Sequence, residues 1–231
     1  MDFSGRQIVI TGGTGALGSA VVGALLGAGA SCTIPYVHEA EAKRFSHAGD
    51  PNVKLIAVKN LADEADVAKV YAGVRPWASI HIAGGFAMGE VAKTDKAALM
   101  AQLDTNLISC FLSCRAAVNA MRAGGGGRIV NVAARPALEW RAGAGMAAYT
   151  VAKTGVAALT VALAEEVAKD GILVNAVAPS IMDTPANRAA MPKANFAAWP
   201  KVEEVAATIL FLASPDNKVT RGAIVPVYGK S

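Results

Sequence analysis

Apolar residues along the chain fall into two alternating patterns. Short runs rich in Val and Ile are bounded by turn residues, which is typical of buried strands. Between them lie longer segments in which apolar residues recur at three- and four-residue spacing, which predicts helices. The predicted strands are 6–12, 31–35, 53–59, 78–84, 128–133, 172–179 and 223–229, and the predicted helices are 16–29, 38–47, 62–74, Lys96–Ala123, Ala147–Ala168 and 202–214.

This strand–helix alternation predicts one α/β domain over residues 1–231. Helices that connect successive strands give right-handed βαβ crossovers, so we expect a doubly wound parallel sheet of about seven strands with helices on both faces. No linker or internal repeat divides the chain, and the run Gly124–Gly127 indicates a turn. Ser180–Lys201 has the least periodicity and follows a strand end. We predict that it forms a substrate lid over the carboxyl edge of the sheet, with a plain surface loop as the alternative.

The composition narrows the class of protein. The formal net charge of +4 comes from scattered Lys and Arg, and because no basic stripe is interleaved with aromatic residues, we expect no nucleic-acid partner. No apolar run of about 18 residues lacks charge or Gly/Pro punctuation, and the residues before the first strand are too few for a signal peptide, so we expect no membrane partner. The three cysteines, Cys32, Cys110 and Cys114, include no CxxC pair, which argues against disulfides and a zinc site. We expect Cys110 and Cys114 to be core residues, no metal, and a reducing cytoplasm.

A glycine-rich turn, TGGTGALG at Thr11–Gly18, lies between the first predicted strand and the first predicted helix. Glycines allow a tight turn and let the backbone approach a pyrophosphate, while the helix N-terminus offers N–H donors and a partial positive charge. Because the turn opens a βαβ unit, it predicts a dinucleotide site.

Tyr149 and Lys153 lie four residues apart on a predicted helix and so share one face. Tyrosine is a poor acid–base group near neutral pH because its reference pKa is about 10. A nearby ammonium favours the phenolate and lowers this pKa, so we predict that the pair transfers a proton.

Four motifs in one order resemble the short-chain dehydrogenase/reductase family over almost the whole chain. They are the glycine loop, Asn106 in TNLISCFL, YTVAK at Tyr149–Lys153, and NAVAPSIMDT at Asn175–Thr184. The resemblance implies a Rossmann-like fold, an NAD or NADP cofactor whose nicotinamide carries the hydride, and a small-molecule substrate. It also implies that Tyr149 handles the proton, that Lys153 binds the nicotinamide ribose, and that Asn106 anchors a water molecule. The glycine spacing departs from the family's usual TGxxxGxG, because Gly15 carries the middle role.

The resemblance further implies a set of cofactor contacts, among which Asn60 and Leu61 face the adenine. NAD-binding members place an acidic residue where Tyr36 stands, and NADP-binding members often place Arg where Val37 stands. The sequence has neither feature, so the choice between NAD and NADP stays open. The implied contacts are Gly12, Thr14, Gly15, Ala16, Leu17, Gly18, Tyr36, Asn60, Leu61, Ala83, Gly84, Gly85, Tyr149, Lys153, Pro179, Met182 and Thr184.

The family's catalytic serine has no counterpart in this chain. Counting from Gly127 places it at Ala134, and no Ser or Thr occurs from Ala133 to Ala148. Loss of one such hydrogen-bond donor commonly raises the activation free energy by roughly 2.7–4 kcal/mol. Because alanine has no donor, we predict that Ala134 forms a substrate wall that offers no hydrogen bond. Arg135 is a candidate replacement donor, with a surface arginine as the alternative. Trp140 is a candidate stacking surface for the substrate, with simple packing as the alternative.

The dihydropteridine reductase branch of the family also lacks this serine. Its lid resembles DTPANRAAMPKANFAAW at Asp183–Trp199, and its segment after the fourth strand resembles IAGGFA at Ile82–Ala87. Asn106 departs from that branch. Because Ala134 and the lid both match it, the leading hypothesis is an NAD(P)H-dependent reductase of a conjugated or quinonoid acceptor such as a dihydropterin. The alternatives are a carbonyl reductase or alcohol dehydrogenase acting on a small ketone or alcohol, and a non-catalytic NAD(P)-binding regulator.

The helices that carry Asn106 and Tyr149 have apolar residues on more than one face, as in VAALTVALAEEVA. Such a distribution indicates burial against a partner chain, and the resemblance implies a homodimer or homotetramer.

Overall fold

A seven-stranded parallel sheet forms the centre of the molecule, and the computed structural model describes all 231 residues. The strands are β1 (Gln7–Thr11), β2 (Ser31–Tyr36), β3 (Val53–Ala57), β4 (Ala78–His81), β5 (Gly127–Val132), β6 (Ile172–Pro179) and β7 (Ile224–Val227). They are ordered β3-β2-β1-β4-β5-β6-β7. The order reverses between β1 and β4, and ligands of doubly wound sheets bind at such a point. The predicted fold class is confirmed.

The helices connect successive strands and cover both faces of the sheet. They are α1 (Ala16–Gly27), α2 (Glu39–Arg44), α3 (Glu64–Tyr71), α4 (Lys96–Leu103), α5 (Ser109–Gly124), α6 (Arg135–Leu138), α7 (Ala147–Glu166), α8 (Pro185–Ala190) and α9 (Val202–Ala213). A π-helical turn, Asp104–Ile108, joins α4 to α5 without a break. Short 3-10 turns add Val91–Lys93, Trp140–Gly143, Ala168–Asp170 and Phe196–Ala198.

Each face of the sheet carries its own hydrophobic core. Successive strand residues point to opposite faces, so Ile8 and Ile10 of β1 pack under α1 and α9, whereas Val9 packs under α3, α5 and α7. Because both faces are covered, β1 and β6 are almost continuously apolar, as buried parallel strands are.

Two predicted helix ends differ from the structure for a local reason. α1 ends at Gly27 because the chain turns at Gly29, whose φ of +88° lies in the left-handed region. α7 ends at Glu166 because the next residues tighten into a 3-10 turn that closes on Gly171 with φ +70°. The long central helix ends at Gly124, one residue beyond its predicted end.

The segment Ser180–Lys201 is more ordered than its lack of periodicity predicts. It contains α8 and a 3-10 turn, elements too short to produce a repeating apolar pattern. The Arg188 guanidinium donates to both Asp183 carboxylate oxygens at 2.6 and 2.7 Å. The Asp183 N–H donates to the Pro200 carbonyl at 2.9 Å, which ties the two ends of the segment together.

Two helical segments, Lys96–Gly124 and Ala147–Glu166, are long and apolar enough to cross a membrane when judged by length and composition alone. Core helices of soluble proteins pass the same test, and both segments pack one face against the sheet through residues such as Met121 and Val156. Their apolar character is therefore weak evidence for a membrane span.

Candidate active site

The glycine turn is fixed by close backbone packing. Gly12 adopts φ +71°, and a Cβ there would lie 2.6 Å from the Ala83 nitrogen. A Cβ on Gly18 would collide with the Gly12 carbonyl oxygen. Gly15 is the N-cap of α1, and neither a capping side chain nor an acidic residue satisfies this helix end. The free N–H groups and the helix dipole therefore make an anion-binding position at the mouth of the turn.

A cavity of about 580 Å³ runs from this turn across the carboxyl edge of the sheet. Its volume and its glycine-lined backbone suit an extended dinucleotide. The sequence did not single out Glu41, Lys59, Asp104 or Asn187, which also line it. The predicted cofactor contacts that line it are Gly12, Thr14, Gly15, Ala16, Leu17, Gly18, Tyr36, Asn60, Leu61, Ala83, Gly84, Met182 and Thr184.

A second cavity of about 210 Å³ adjoins the first and shares Leu17, Gly84 and Met182 with it. The structure brings the predicted proton-transfer residues together here with the residue at the serine position. The predicted residues that line it are Leu17, Gly84, Gly85, Asn106, Ala134, Tyr149, Lys153, Pro179 and Met182.

The protonation of Tyr149 differs from the sequence prediction. Burial raises the pKa of Tyr149 to about 12, and no ammonium offsets it. The Lys153 ammonium instead donates to the Val132 carbonyl oxygen at 2.8 Å. Burial lowers the pKa of Lys153 to about 8, because a buried cation loses its hydration. The expected lowering of the tyrosine pKa is therefore wrong for this arrangement, and Tyr149 is a protonated phenol at neutral pH.

Asn106 lies in the π-helical turn, where the amide is carried toward the loop after β4. Such turns are frequent at functional sites. Asn106 Oδ1 accepts from the Gly85 N–H at 3.1 Å, and Nδ2 donates to the Gly85 carbonyl at 2.9 Å. A Cβ on Gly84 would lie 2.7 Å from Asn106 Oδ1 and 3.3 Å from Lys153 Nζ, so only glycine fits there. Asn106 thereby fixes the loop that separates the two cavities.

The wall at the expected serine position is apolar. Ala133 and Ala134 are buried and follow β5 directly. Apart from Tyr149, the hydroxyl that lines the smaller cavity belongs to Ser180, which donates to the Tyr228 carbonyl at 2.9 Å. Ser79 lies inside β4, 2.7 Å from the Tyr71 hydroxyl, and does not line the cavity. No free hydroxyl therefore replaces the missing serine.

Arg135 and Trp140 do not line either cavity, which corrects their expected positions at the substrate. The Arg135 guanidinium donates to the Glu139 carboxylate at 2.7 Å and lies over the Tyr228 ring, 5.1 Å from its centroid. Trp140 is 72% exposed, and its indole donates to the Ala137 carbonyl. An ion pair with Glu139, one helical turn away, holds the arginine.

Phe86 is a site residue that the sequence did not single out. It lines the smaller cavity, is 60% exposed, and lies on irregular chain after β4. No periodic pattern covers such a position; the signal was a large apolar side chain directly after two glycines. Phe86 therefore supplies an aromatic edge at the mouth of the cavity.

A buried polar cluster lies beneath the site. Because an amide oxygen only accepts, His81 Nδ1 donates to Asn131 Oδ1, at 2.8 Å. Cys110 Sγ and Cys114 Sγ lie 3.4 and 3.5 Å from the same oxygen. Both cysteines are buried, which confirms their predicted core positions, and His81 is buried with them. Cysteine and histidine also bind zinc, and their ligand atoms lie within 4.8 Å of one another. The cluster is nevertheless saturated by its own hydrogen bonds, which is typical of a structural network.

Comparison with known proteins relates this site to one enzyme family. The sequence profile described as short chain dehydrogenase matches residues 6–195, which include the glycine turn, Asn106, Tyr149 and Lys153. The chain is similar to galactitol 2-dehydrogenase of Rhizobium johnstonii, with 32% identity over 242 residues that cover 97% of this chain and 94% of the relative. It is also similar to the 3-oxoacyl-(acyl-carrier-protein) reductase FabG of Salmonella typhimurium, with 28% identity over 246 residues that cover 99% and 98% of the two chains.

Among solved structures, the chain is similar to an oxidoreductase of Burkholderia thailandensis described as short chain dehydrogenase/reductase family. The TM-score is 0.88 and the identity 31%, and the match covers 97% of this chain and 91% of the other. The similarity therefore extends over both cavities and the sheet beneath them.

Proposed function

Since the chain belongs to the short-chain dehydrogenase/reductase family and is an NAD(P)-dependent oxidoreductase, we propose that it transfers a hydride to a conjugated or quinonoid acceptor, as a dihydropteridine reductase does. The observation that carries this proposal is the wall beside Tyr149, where buried Ala134 stands in place of a hydrogen-bond donor.

In this proposal the larger cavity binds the cofactor and the smaller cavity binds the acceptor. When bound, NAD(P)H supplies the hydride. The glycine turn and the N-terminus of α1 bind its pyrophosphate, and Asn60 and Leu61 face the adenine. Pro179, Met182 and Thr184 hold the nicotinamide end, and Lys153 binds the adjoining ribose. The acceptor occupies the smaller cavity beside Tyr149.

The acceptor receives its proton from the Tyr149 hydroxyl. The half-buried phenol, whose pKa is about 12, is protonated at neutral pH and is thus in the form that a reduction requires. The Lys153 ammonium is turned toward the Val132 carbonyl, so its role in this step is to hold the nicotinamide ribose beside Tyr149. Asn106 positions the loop at Gly85 and anchors a water molecule on the path to solvent.

An acceptor of this class fits the apolar wall. Hydride transfer to an isolated ketone concentrates negative charge on one oxygen, which needs a donor. A conjugated ring spreads the charge over several atoms, so a single donor contributes less. Val132, Ala133 and Ala134 offer a flat surface, and Phe86 offers an aromatic edge against which a ring can pack.

A second candidate is a carbonyl reductase or alcohol dehydrogenase acting on a small ketone or alcohol. The names of the similar galactitol dehydrogenase and 3-oxoacyl reductase favour it, as does Asn106. Ser180 is the hydroxyl that such a reaction would use, and it would have to turn away from the Tyr228 carbonyl, 2.9 Å distant.

Three further features belong to the proposal. Ser180–Lys201 acts as a lid, since Met182 and Thr184 at its start line the larger cavity.

Phe111, Val151 and Val161 are 46–57% exposed on α5 and α7, which supports a homodimer or homotetramer joined through these helices. Three unpaired cysteines fit a reducing compartment such as the cytoplasm.

The test is oxidation of NADH and NADPH by the purified protein with a quinonoid dihydropterin and with a panel of small ketones. The proposal predicts faster turnover of the pterin, and Tyr149→Phe should abolish it. Ketone turnover far above pterin turnover would reject the acceptor class in favour of the second candidate.

A further inference from the structure

The far end of the larger cavity carries a carboxylate that reaches back to the glycine turn. Glu41 lies in the first half of α2, and its Oε2 accepts a hydrogen bond from the Thr14 hydroxyl at 3.3 Å. The two residues are 27 positions apart in sequence, and both line the cavity. The contact therefore places a negative charge beside the turn that approaches the cofactor.

Tyr36 stands at the end of β2 without a charge of its own. Its hydroxyl donates to the Glu39 carboxylate at 2.9 Å, and Glu39 does not line the cavity. Glu41, two positions after Glu39 on α2, does line the cavity, and its carboxylate also accepts from the glycine turn at Thr14. An acidic group is thus supplied from α2 rather than from the end of β2.

We propose that Glu41 makes this protein select NADH over NADPH, an inference that rests on the cofactor position proposed above. A ribose with a free 2′-hydroxyl can donate a hydrogen bond to the carboxylate. A 2′-phosphate carries between about −1.5 and −2 charges at neutral pH, so it meets repulsion from Glu41. It also offers no hydrogen for the carboxylate to accept.

The basic side chains at the same end do not form a phosphate site. His38 and Lys59 line the cavity, and both side chains are exposed. Asp66 fixes only the backbone of Lys59, through a hydrogen bond to its N–H at 2.8 Å. Neither side chain is hydrogen-bonded to the glycine turn, whereas Glu41 is. The charged group in contact with Thr14 is therefore the negative Glu41 carboxylate.

Binding of reduced cofactor to the full-length protein tests the selection without any acceptor. Titration of NADH and NADPH, followed by cofactor fluorescence, should give a Kd for NADH at least about tenfold lower, and tenfold corresponds to about 1.4 kcal/mol. Glu41→Gln keeps the shape and removes the charge, so it should weaken NADH binding, strengthen NADPH binding and bring the ratio to within about threefold. Raising the salt concentration should narrow the wild-type ratio as well.

Glu39→Gln is the matched control, because it removes one carboxylate of the same helix that lies outside the cavity. Its NADH-to-NADPH ratio should stay within about twofold of the wild type, since an exposed charge farther away is screened. An equal affinity for both cofactors in the wild type, or an unchanged ratio in Glu41→Gln, would overturn the inference. If NADH is selected but quinonoid dihydropterin is not reduced, the acceptor proposal fails and the role of Glu41 stands.

Discussion

The Phe86 ring packs edge-on against the Tyr149 ring, with centroids 5.1 Å apart and planes at 85°. This T-shaped contact joins an exposed side chain of the loop after β4 to the proton-transferring phenol on α7. Phe86 screens the Tyr149 ring from water, and this contributes to the burial that raises the pKa of Tyr149 to about 12. Acceptor binding and the protonation of Tyr149 are therefore connected through one aromatic pair.

Removal of the Phe86 ring should weaken catalysis with a conjugated acceptor. An aromatic pair contributes about 0.5–1.5 kcal/mol beyond its buried area, so Phe86→Ala should lower kcat/KM about 2- to 12-fold, chiefly through KM. Steady-state kinetics with a quinonoid dihydropterin measures the change. Phe211→Ala removes another exposed phenylalanine, on α9 and outside both cavities, and should leave kcat/KM unaltered. An equal loss in both variants would contradict a local role for Phe86.

The reduction rate should fall as the pH rises through about 8. The Lys153 ammonium holds the nicotinamide ribose, and burial lowers the pKa of Lys153 to about 8, so the cation is present below this pH and lost above it. Tyr149, with a pKa of about 12, stays protonated over the same range. The pH profile of kcat/KM should therefore be flat up to about pH 7 and decline with one ionisation near 8.

Lys153→Arg tests whether the titration of Lys153 causes the alkaline decline of kcat/KM. Arginine remains a cation throughout the accessible range, so the alkaline decline should move to higher pH even though the misplaced guanidinium lowers the overall rate. A decline that stays near pH 8 in this variant would show that another group titrates.

Patterns among residues close together in the sequence were enough to predict most of the fold and the central residues of the site. Strand periodicity, the glycine turn and the four-residue spacing of Tyr149 and Lys153 all depend on neighbours in sequence, and the structure brings them together at one sheet edge. Contacts across long sequence separations were not predictable in the same way. Glu41 reaches Thr14 only because the chain after β2 brings α2 beside the glycine turn, and the tyrosine pKa depends on Lys153 turning toward the Val132 carbonyl.

The polar cluster under the site should be a main determinant of stability. Asn131 accepts from His81 Nδ1 and donates to the Thr160 hydroxyl at 2.9 Å, and so links β4, β5 and α7. Asn131→Ala removes the acceptor of His81 Nδ1, leaves the Thr160 hydroxyl with only its bond to the Val156 carbonyl, and opens a small cavity, so the free energy of unfolding should fall by about 2–4 kcal/mol. Urea denaturation followed by circular dichroism measures it. Asn119→Ala, at an exposed position of α5, should change stability by less than about 0.5 kcal/mol.

A hydroxyl placed at residue 134 should widen the range of acceptors. Ala134 lines the cavity beside Tyr149, so Ala134→Ser adds a donor where a ketone oxygen would develop negative charge. A donor in such a position is worth about 10²–10³ in kcat, and even partial alignment should raise small-ketone turnover at least about tenfold. Turnover of a quinonoid dihydropterin should change by less than about threefold, because its charge is delocalised.

Ala137→Ser provides the matched control for this gain. Ala137 is buried to the same extent as Ala134, at 5% exposure, but lies on α6 outside the cavity. A hydroxyl there should leave ketone turnover at the wild-type level. If Ala134→Ser leaves ketone turnover unchanged while a thermal melt shows intact folding, the missing donor is not what limits ketone reduction. If the wild type already reduces ketones rapidly and Ser180→Ala abolishes that activity, Ser180 is the substitute donor. The apolar wall would then not define the acceptor.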